Sequence, residues 1–474
     1  MPKNIVIYSD GTGQVGGIKP EQRLSNIYKM YRASKVGPDN FIDPNEQVAF
    51  YDPGLGSEEH DSFFLSPFKS IKKILSYILG IGISDNIIDC YEAILKYYEP
   101  GDRVYLFGFS RGAYTVRCVA NVMNLCGIPQ YDADGNPIPI YSKRLRAIAE
   151  EAVLKVYEHG AGYKRNDYEL EREELARRFR ERYGSEGVGS NGESQGNIQP
   201  YFIGVFDTVA ALGQTNFRKF LFYLCPLITF VIGLIYIIST GRWSVESAGL
   251  LSLYPLIIFY VAKKRFRYIK DFPNKGDFSW HIKSWGLKDY DRFLDDLVPY
   301  ARHAISIDEN RAAFGRVGWG TVKGWKKNKN QHPAWLKQVW FPGGHSDIGG
   351  SYPENESRLS DIALHWMLEQ IKEPGIEYPV IFNEKLLNLF PDSSGISHCE
   401  LKILKDKLWP QWWPEKYRFS WSEGKRHPGP DLHQSVIERL EQGCMENCGS
   451  RVQYRPQALK NHERTKHYYL EEAV

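Results

Sequence analysis

Short apolar runs recur along the chain, each closed by turn residues. Asn4–Tyr8 ends in Ser9-Asp-Gly-Thr-Gly13, and Gln47–Tyr51 ends at Asp52-Pro-Gly-Leu-Gly56. Arg103–Gly108, Tyr201–Phe206 and Gln338–Phe341 follow the same form. Such runs, bounded by Gly, Pro and Asp, predict buried strands. Between them, Ile87–Tyr98 and Arg111–Leu125 carry helical periodicity. Strands alternating with helices predict an α/β fold with a mostly parallel, doubly wound sheet. Two stretches predict insertions: Lys143–Tyr183, dense in charge with helical spacing, reads as solvated cap helices, and residues 184–198, rich in Gly and Ser, read as a mobile loop. Phe63–Ile83 has Phe68, Ile71, Ile74, Leu75, Ile78 and Leu79 at helical spacing with lysines between. That pattern suits a membrane-surface helix or one packed on its own protein, and both readings stay open. The region from Trp409 to Trp421 is Pro- and Trp-rich and reads as C-terminal loops.

The polar pattern breaks once. Phe220–Gly241 is 22 residues without a charge, and after Glu246 a second uncharged stretch runs from Ser247 to Ala262. The first is long enough to span a bilayer. The second, at ~1.5 Å per residue, reaches roughly 24 Å against a core of about 30 Å. Arg218 and Lys219 precede the pair, and Lys263, Lys264, Arg265 and Arg267 follow it. Basic flanks on both outer ends predict a helical hairpin inserted from the cytoplasmic face, its tip at Arg242–Glu246. A buried hairpin is the alternative, and a homo-oligomer would accommodate the short second segment more easily. The organisation expected is therefore a core in two parts, residues 1–217 and 268–474, the second with a C-terminal cap region, interrupted by a hydrophobic hairpin at 218–267.

Composition refines this picture. Hydrophobic and charged residues, at 42% and 25%, are ordinary for a globular chain, but aromatics reach 14%, which suits a large core or a membrane interface. A net charge of +3 and the absence of basic runs interleaved with aromatics exclude nucleic acid as a partner. Seven scattered cysteines predict reduced thiols; Cys444 and Cys448 lack further ligands for a zinc site. The N-terminus runs straight into a strand without a signal peptide, so synthesis in the cytosol is expected.

Gly108-Phe-Ser-Arg-Gly112 is a G-x-S-x-G between a strand and a helix. That context predicts a nucleophile elbow with Ser110 at the helix N-terminus, where backbone N–H groups face developing negative charge. A serine nucleophile needs a base and an orienting carboxylate, in the chain order Ser, acid, His. Asp207, ending a strand in Gly204-Val-Phe-Asp-Thr-Val209, fits the acid, and His345, in the flexible turn Pro342-Gly-Gly-His-Ser-Asp-Ile-Gly-Gly350, fits the base. His303, in a stretch that reads as helical, and His433 compete. The oxyanion hole should use the N–H of Arg111 and a second donor from Gly11 or Thr12, with Asp10 fixing that loop.

These motifs, with Asp308-Glu-Asn-Arg-Ala-Ala-Phe314 and His433-Gln-Ser-Val-Ile-Glu-Arg439, stand in an order that resembles the α/β-hydrolase family containing the phospholipase effectors of the bacterial type VI secretion system. The resemblance covers roughly residues 4–460. It implies a Ser110–Asp207–His345 triad, no cofactor, and phospholipase A-type cleavage of glycerophospholipid esters. A phospholipid membrane is then the partner, with an immunity or regulatory protein as a further class. The hydrophobic hairpin is not among the matching motifs. Anchoring by residues 220–262 at the cytoplasmic face therefore stands beside export as an effector. Other readings are a small-ester or thioester hydrolase, a metal-dependent phosphoester enzyme using Asp10, His345 and Asp347, and a non-catalytic membrane-acting protein.

Overall fold

A computed structural model describes residues 2–11, 13–14, 16, 23–54, 82–209, 227, 230–231, 234–239, 265–284, 294–311, 314–319, 335–399, 426–447 and 449–469. Thr12, most of Phe63–Ile83, most of the 218–267 hairpin, Cys448 and the Trp409–Trp421 loops lie outside these. Among the described residues no helix is long and apolar enough to cross a membrane.

Six strands form the central sheet: β1 (Asn4–Ser9), β2 (Gln47–Asp52), β3 (Arg103–Phe109), and, after the short antiparallel pair β4 (Glu186–Val188) and β5 (Ser194–Gly196), β6 (Phe202–Phe206). A second antiparallel pair, β7 (Phe266–Lys270) and β8 (Phe278–Ile282), precedes the last two sheet strands, β9 (Tyr300–Ser306) and β10 (Leu336–Phe341). The sheet order is β10-β9-β6-β3-β1-β2 and every neighbour is parallel. This is the α/β class the sequence pattern predicts. The chain leaves β1 for one edge and returns to β3 on its other side. The loops after β1 and β3 therefore flank the point where winding reverses, where such sheets place their sites.

Alternate side chains divide the core by type. Ile5, Ile7, Val104, Leu106, Ile203 and Val205 face one cluster. There they meet α2 (Ile83–Tyr97) and α3 (Arg111–Cys126), which follow α1 (Asn26–Ser34) in the chain. Tyr8, Phe107 and Phe202 face the other side. Tyr8 and Phe107 have ring centroids 5.4 Å apart, and Phe107 and Phe202 5.6 Å. Part of the aromatic excess is thus an interior layer. It is covered by α1 and the later helix Arg358–Ile371.

Three expectations change. The Lys143–Tyr183 segment is not simply solvated: α4 (Lys143–Glu150), a π-helical turn (Glu151–Tyr157) and α5 (Glu169–Tyr183) bury Leu145, Ile148, Val153, Val156 and Phe179, most of them in the main cluster. Most of their charges face outward, but Arg172 and Arg180 are buried with the apolar side. The Gly-rich loop is an ordered hairpin, because Gly184 ends α5 in the left-handed region and the Asn191-Gly192 corner, with Gly192 at φ 80°, turns β4 into β5. His303 lies in β9, not in a helix.

Candidate active site

Ser110 joins β3 to α3 with φ at 58°, a left-handed backbone rarely held by a side-chain-bearing residue. Its flanking glycines are required by contact. A Cβ on Gly112 would stand 2.0 Å from the Ser9 carbonyl oxygen, and one on Gly108 would stand 2.5 Å from that of Gly112. The Ser110 N–H donates to the Phe206 carbonyl at 3.1 Å, which ties the elbow to β6. On the β1 side, a Cβ on Gly11 would lie 3.4 Å from that of Ser110, so the first loop packs on the elbow.

Asp207 follows β6, also with positive φ, and is fully buried. Its Oδ2 is 2.6 Å from His345 Nδ1. Its Oδ1 accepts the Ser306 N–H at 3.2 Å, and Arg426 donates to both oxygens at 3.2 and 3.1 Å. Burial alone would raise this carboxyl. The Arg426 charge and then His345 outweigh it and hold Asp207 well below the ordinary carboxylate range.

His345 opens the short helix α6 (His345–Gly349), so the expected flexible turn is a helical turn. Its N–H donates to Glu309 at 3.3 Å, and Glu309 is paired with Arg311. The ring lies against Phe109, centroids 4.7 Å apart, and against Phe314 at 5.1 Å. Phe109 is the residue before Ser110. His345 Nε2 is buried and makes no hydrogen bond among the described residues. A neutral imidazole whose Nδ1–H is given to a carboxylate has its lone pair on Nε2.

The other expected residues divide. Arg111 is buried at the start of α3. The Gly11 N–H is already given to Asp10 Oδ1 at 2.7 Å. Asp10 also accepts from Ser25 and Tyr51, and burial still raises its carboxyl to about 6. Asp347 accepts from the Gly344 N–H at 2.8 Å and pairs with His398 Nδ1 at 2.7 Å, so it braces the loop that carries His345. Asp10, His345 and Asp347 are not a metal-type cluster: the one group of three such donors among the described residues is elsewhere. His303 accepts the Thr208 N–H at 3.2 Å and holds the turn after Asp207. Burial, then Arg117 and Arg316, push its titration well below the ordinary histidine value. His433 caps the helix α8 (Gln434–Glu441), which follows α7 (Arg358–Ile371).

Arg426 and Glu309 escaped the sequence reading. Arg426 lies 219 positions from its partner, in a segment with no periodicity, and no local signal marks it. It reaches the site because the strand-like run at Asp431–Leu432 adds to the β10 edge through Trp340. Glu309 stands inside the Asp308–Phe314 motif, but nothing in that motif gave it a role at the site.

An uncharacterized protein of Saccharomyces cerevisiae, YEL023C, is 24% identical over 425 residues, covering 79% of this chain and 58% of its own length. The chain thus spans little more than half of that relative. A crystal structure of an uncharacterized Pseudomonas aeruginosa protein aligns at 15% identity with a TM-score of 0.37, over 83% of this chain and 49% of that one. The model of the family described as T6SS, Phospholipase effector Tle1-like, catalytic domain matches residues 3–370, and the chain belongs to that family.

Proposed function

We propose that the protein is a serine esterase that cleaves carboxyl esters of membrane phospholipids. The observation that carries this reading is the buried Asp207–His345 pair whose free Nε2 belongs to a ring lying tilted against Phe109, the residue preceding the strained Ser110. In this reaction Ser110 Oγ attacks the acyl carbonyl carbon while His345 Nε2 takes its proton. Asp207 stabilises the imidazolium. The Arg111 N–H and, since the Gly11 N–H is given to Asp10, a donor at Thr12 hold the oxyanion. Collapse expels the lysolipid alkoxide, which takes the proton back from His345. Water, deprotonated by the same ring, then releases the fatty acid and restores Ser110.

The membrane half of the proposal rests on residues 220–262 and on the β7–β8 hairpin after them. The described helical residues of the first uncharged stretch leave Leu227, Ile235 and Ile238 exposed. On the hairpin, Phe266, Tyr268, Phe278 and Trp280 are all exposed on one face. An exposed aromatic face beside an uncharged stretch suits the headgroup level of a bilayer. We read the chain as a core in two parts, 1–217 and 268–474, held on the cytoplasmic face by 218–267, with export as an effector the competing placement.

Incubation with phosphatidylethanolamine–phosphatidylglycerol vesicles, read by mass spectrometry, tests the chemistry. Fatty acid should appear with the native protein and vanish with Ser110→Ala. Equal release from both would overturn the serine mechanism. Deleting Phe220–Ala262 should spare a small soluble ester and abolish the vesicle reaction; unchanged vesicle activity would refute the anchoring.

A further inference from the structure

Away from Ser110, three residues from separate elements meet under the β7–β8 hairpin. His159 follows the π-helical turn, Glu171 lies in the first turns of α5, and His281 points inward from β8. One donor atom from each lies within 4.8 Å of the others. His159 and His281 are buried and their rings meet edge to face at 4.8 Å. We propose that His159, Glu171 and His281 bind one divalent transition-metal ion of the zinc class, which clamps the β7–β8 hairpin to the cap.

The hydrogen bonds around the cluster argue for this. His281 Nε2 lies 2.5 Å from the His159 carbonyl oxygen. A carbonyl only accepts, so Nε2 carries the proton and Nδ1 holds the lone pair. That Nδ1 is buried and has no hydrogen bond among the described residues, an arrangement that costs free energy unless a partner arrives. An imidazole that gives one N–H to a backbone carbonyl and keeps its other nitrogen unprotonated and unpaired is built as metal ligands are built. The carboxylate is supported in the same manner: the Ser279 hydroxyl donates to Glu171 Oε1 at 2.8 Å, while Oε2 is 2.6 Å from His159 Nε2. Tyr168 stacks on His281 at 3.8 Å and fixes its plane.

Two imidazoles and one carboxylate favour zinc-class ions over calcium or magnesium, and water would fill a fourth position. Binding would displace the proton shared by His159 and Glu171. The nearby cations have another counterion: Lys283 and Arg267 both sit on Glu158, at 2.5 and 3.4 Å. The sequence conceals the set, because Glu171 is twelve positions from His159 and His281 lies beyond the hydrophobic stretch.

The test uses the full chain, stripped with chelator and returned to zinc or cobalt(II), with bound metal counted by mass spectrometry. The native chain should hold about one zinc, with cobalt absorption bands of a nitrogen–oxygen set. His281→Gln and Glu171→Gln, checked for native circular dichroism, should lose it, and the Cys444→Ser/Cys448→Ser variant should keep it. Should His281→Gln not fold, Glu171→Gln on the cap surface carries the comparison. Independently of any variant, zinc should slow amide exchange across Phe278–Ile282 in the native chain. No stoichiometric zinc, retention by both His281→Gln and Glu171→Gln, loss in the cysteine variant alone, or unchanged exchange would each overturn the site.

Discussion

Among the described residues, two histidine–carboxylate pairs have the same length and opposite design. Asp207 and His345 lie 2.6 Å apart on the sheet, and Glu171 and His159 lie 2.6 Å apart in the cap. In the first, the carboxylate is fixed by Arg426 and the Ser306 N–H, and the other imidazole nitrogen makes no hydrogen bond among the described residues, in a ring that lies against Phe109, the residue before Ser110. In the second, the carboxylate is partly exposed and a second imidazole, that of His281, stands edge-on. What such a pair does is decided by what faces it. Beside a hydroxyl in a strained turn it can move a proton; beside another lone pair it can hold a cation.

The largest effect that bears on this contrast is at Asp207. Asp207→Asn keeps the shape but gives His345 Nδ1 an amide in place of a carboxylate, so the wrong tautomer is favoured. A loss of about 10⁴ in kcat on a soluble ester is expected, as in triad enzymes. A loss below about tenfold would remove Asp207 from the machinery and leave the sheet pair as structural as any other.

Arg426 comes next. Arg426→Ala leaves a fully buried carboxylate without its cation, and breaking such a pair costs about 3–5 kcal/mol. Because the Asp207 carboxyl is depressed in the fold, its stabilisation is present above the unfolded value of about 3.9 and is lost as pH falls through the folded one. The variant should therefore unfold at a higher pH on acid titration, in addition to its lower urea midpoint at neutral pH. An unchanged acid limb would show that Arg426 does not set the charge of the pair.

Gly112→Ala follows, since its Cβ would stand 2.0 Å from a backbone oxygen of β1. Overpacking of this kind costs about 1–3 kcal/mol. It also moves the elbow, so kcat should fall along with the urea midpoint, whereas a change on the cap side of α3 should lower the midpoint alone. A variant with native stability and native kcat would show that the elbow tolerates displacement.

How far the sequence carried the reading depends on whether a residue's partner is local. The strands were legible because burial on both faces leaves an unbroken apolar run between turn residues, as at Ile5–Tyr8 and Val104–Phe107. Ser110 was legible because the elbow needs its two glycines within two positions on either side. Arg426 and the His159–Glu171–His281 group were not, since each is assembled by tertiary contact across more than a hundred residues. The cap was misread as solvated because its charges outnumber the apolar stripe that packs on α2 and α3, and His303 was misread as helical because a buried strand and a short helix segment look alike over seven residues.

A third pair gives the smallest and most specific test. His398 lies between Asp347 and Glu356, at 2.7 and 3.1 Å, and stacks on Tyr352. Burial would lower its titration, but the hydrogen bonds and charges of Asp347 and Glu356 prevail and raise it. A raised histidine contributes stability that is full below the unfolded value of about 6.5 and is lost as pH rises through the folded value. His398→Gln should therefore cost on the order of 1 kcal/mol at pH 5.5 and less at pH 8.5, read as a difference in urea midpoints against the native chain. Equal costs at the two pH values would mean that the ring acts by packing on Tyr352 alone. Because Asp347 also accepts the Gly344 N–H, immediately before His345, the loss should be accompanied by a modest fall in kcat that Asp347→Asn reproduces. A fall in stability without that change in kcat would separate this brace from the sheet pair, and would leave Asp207 and its own partners to orient His345.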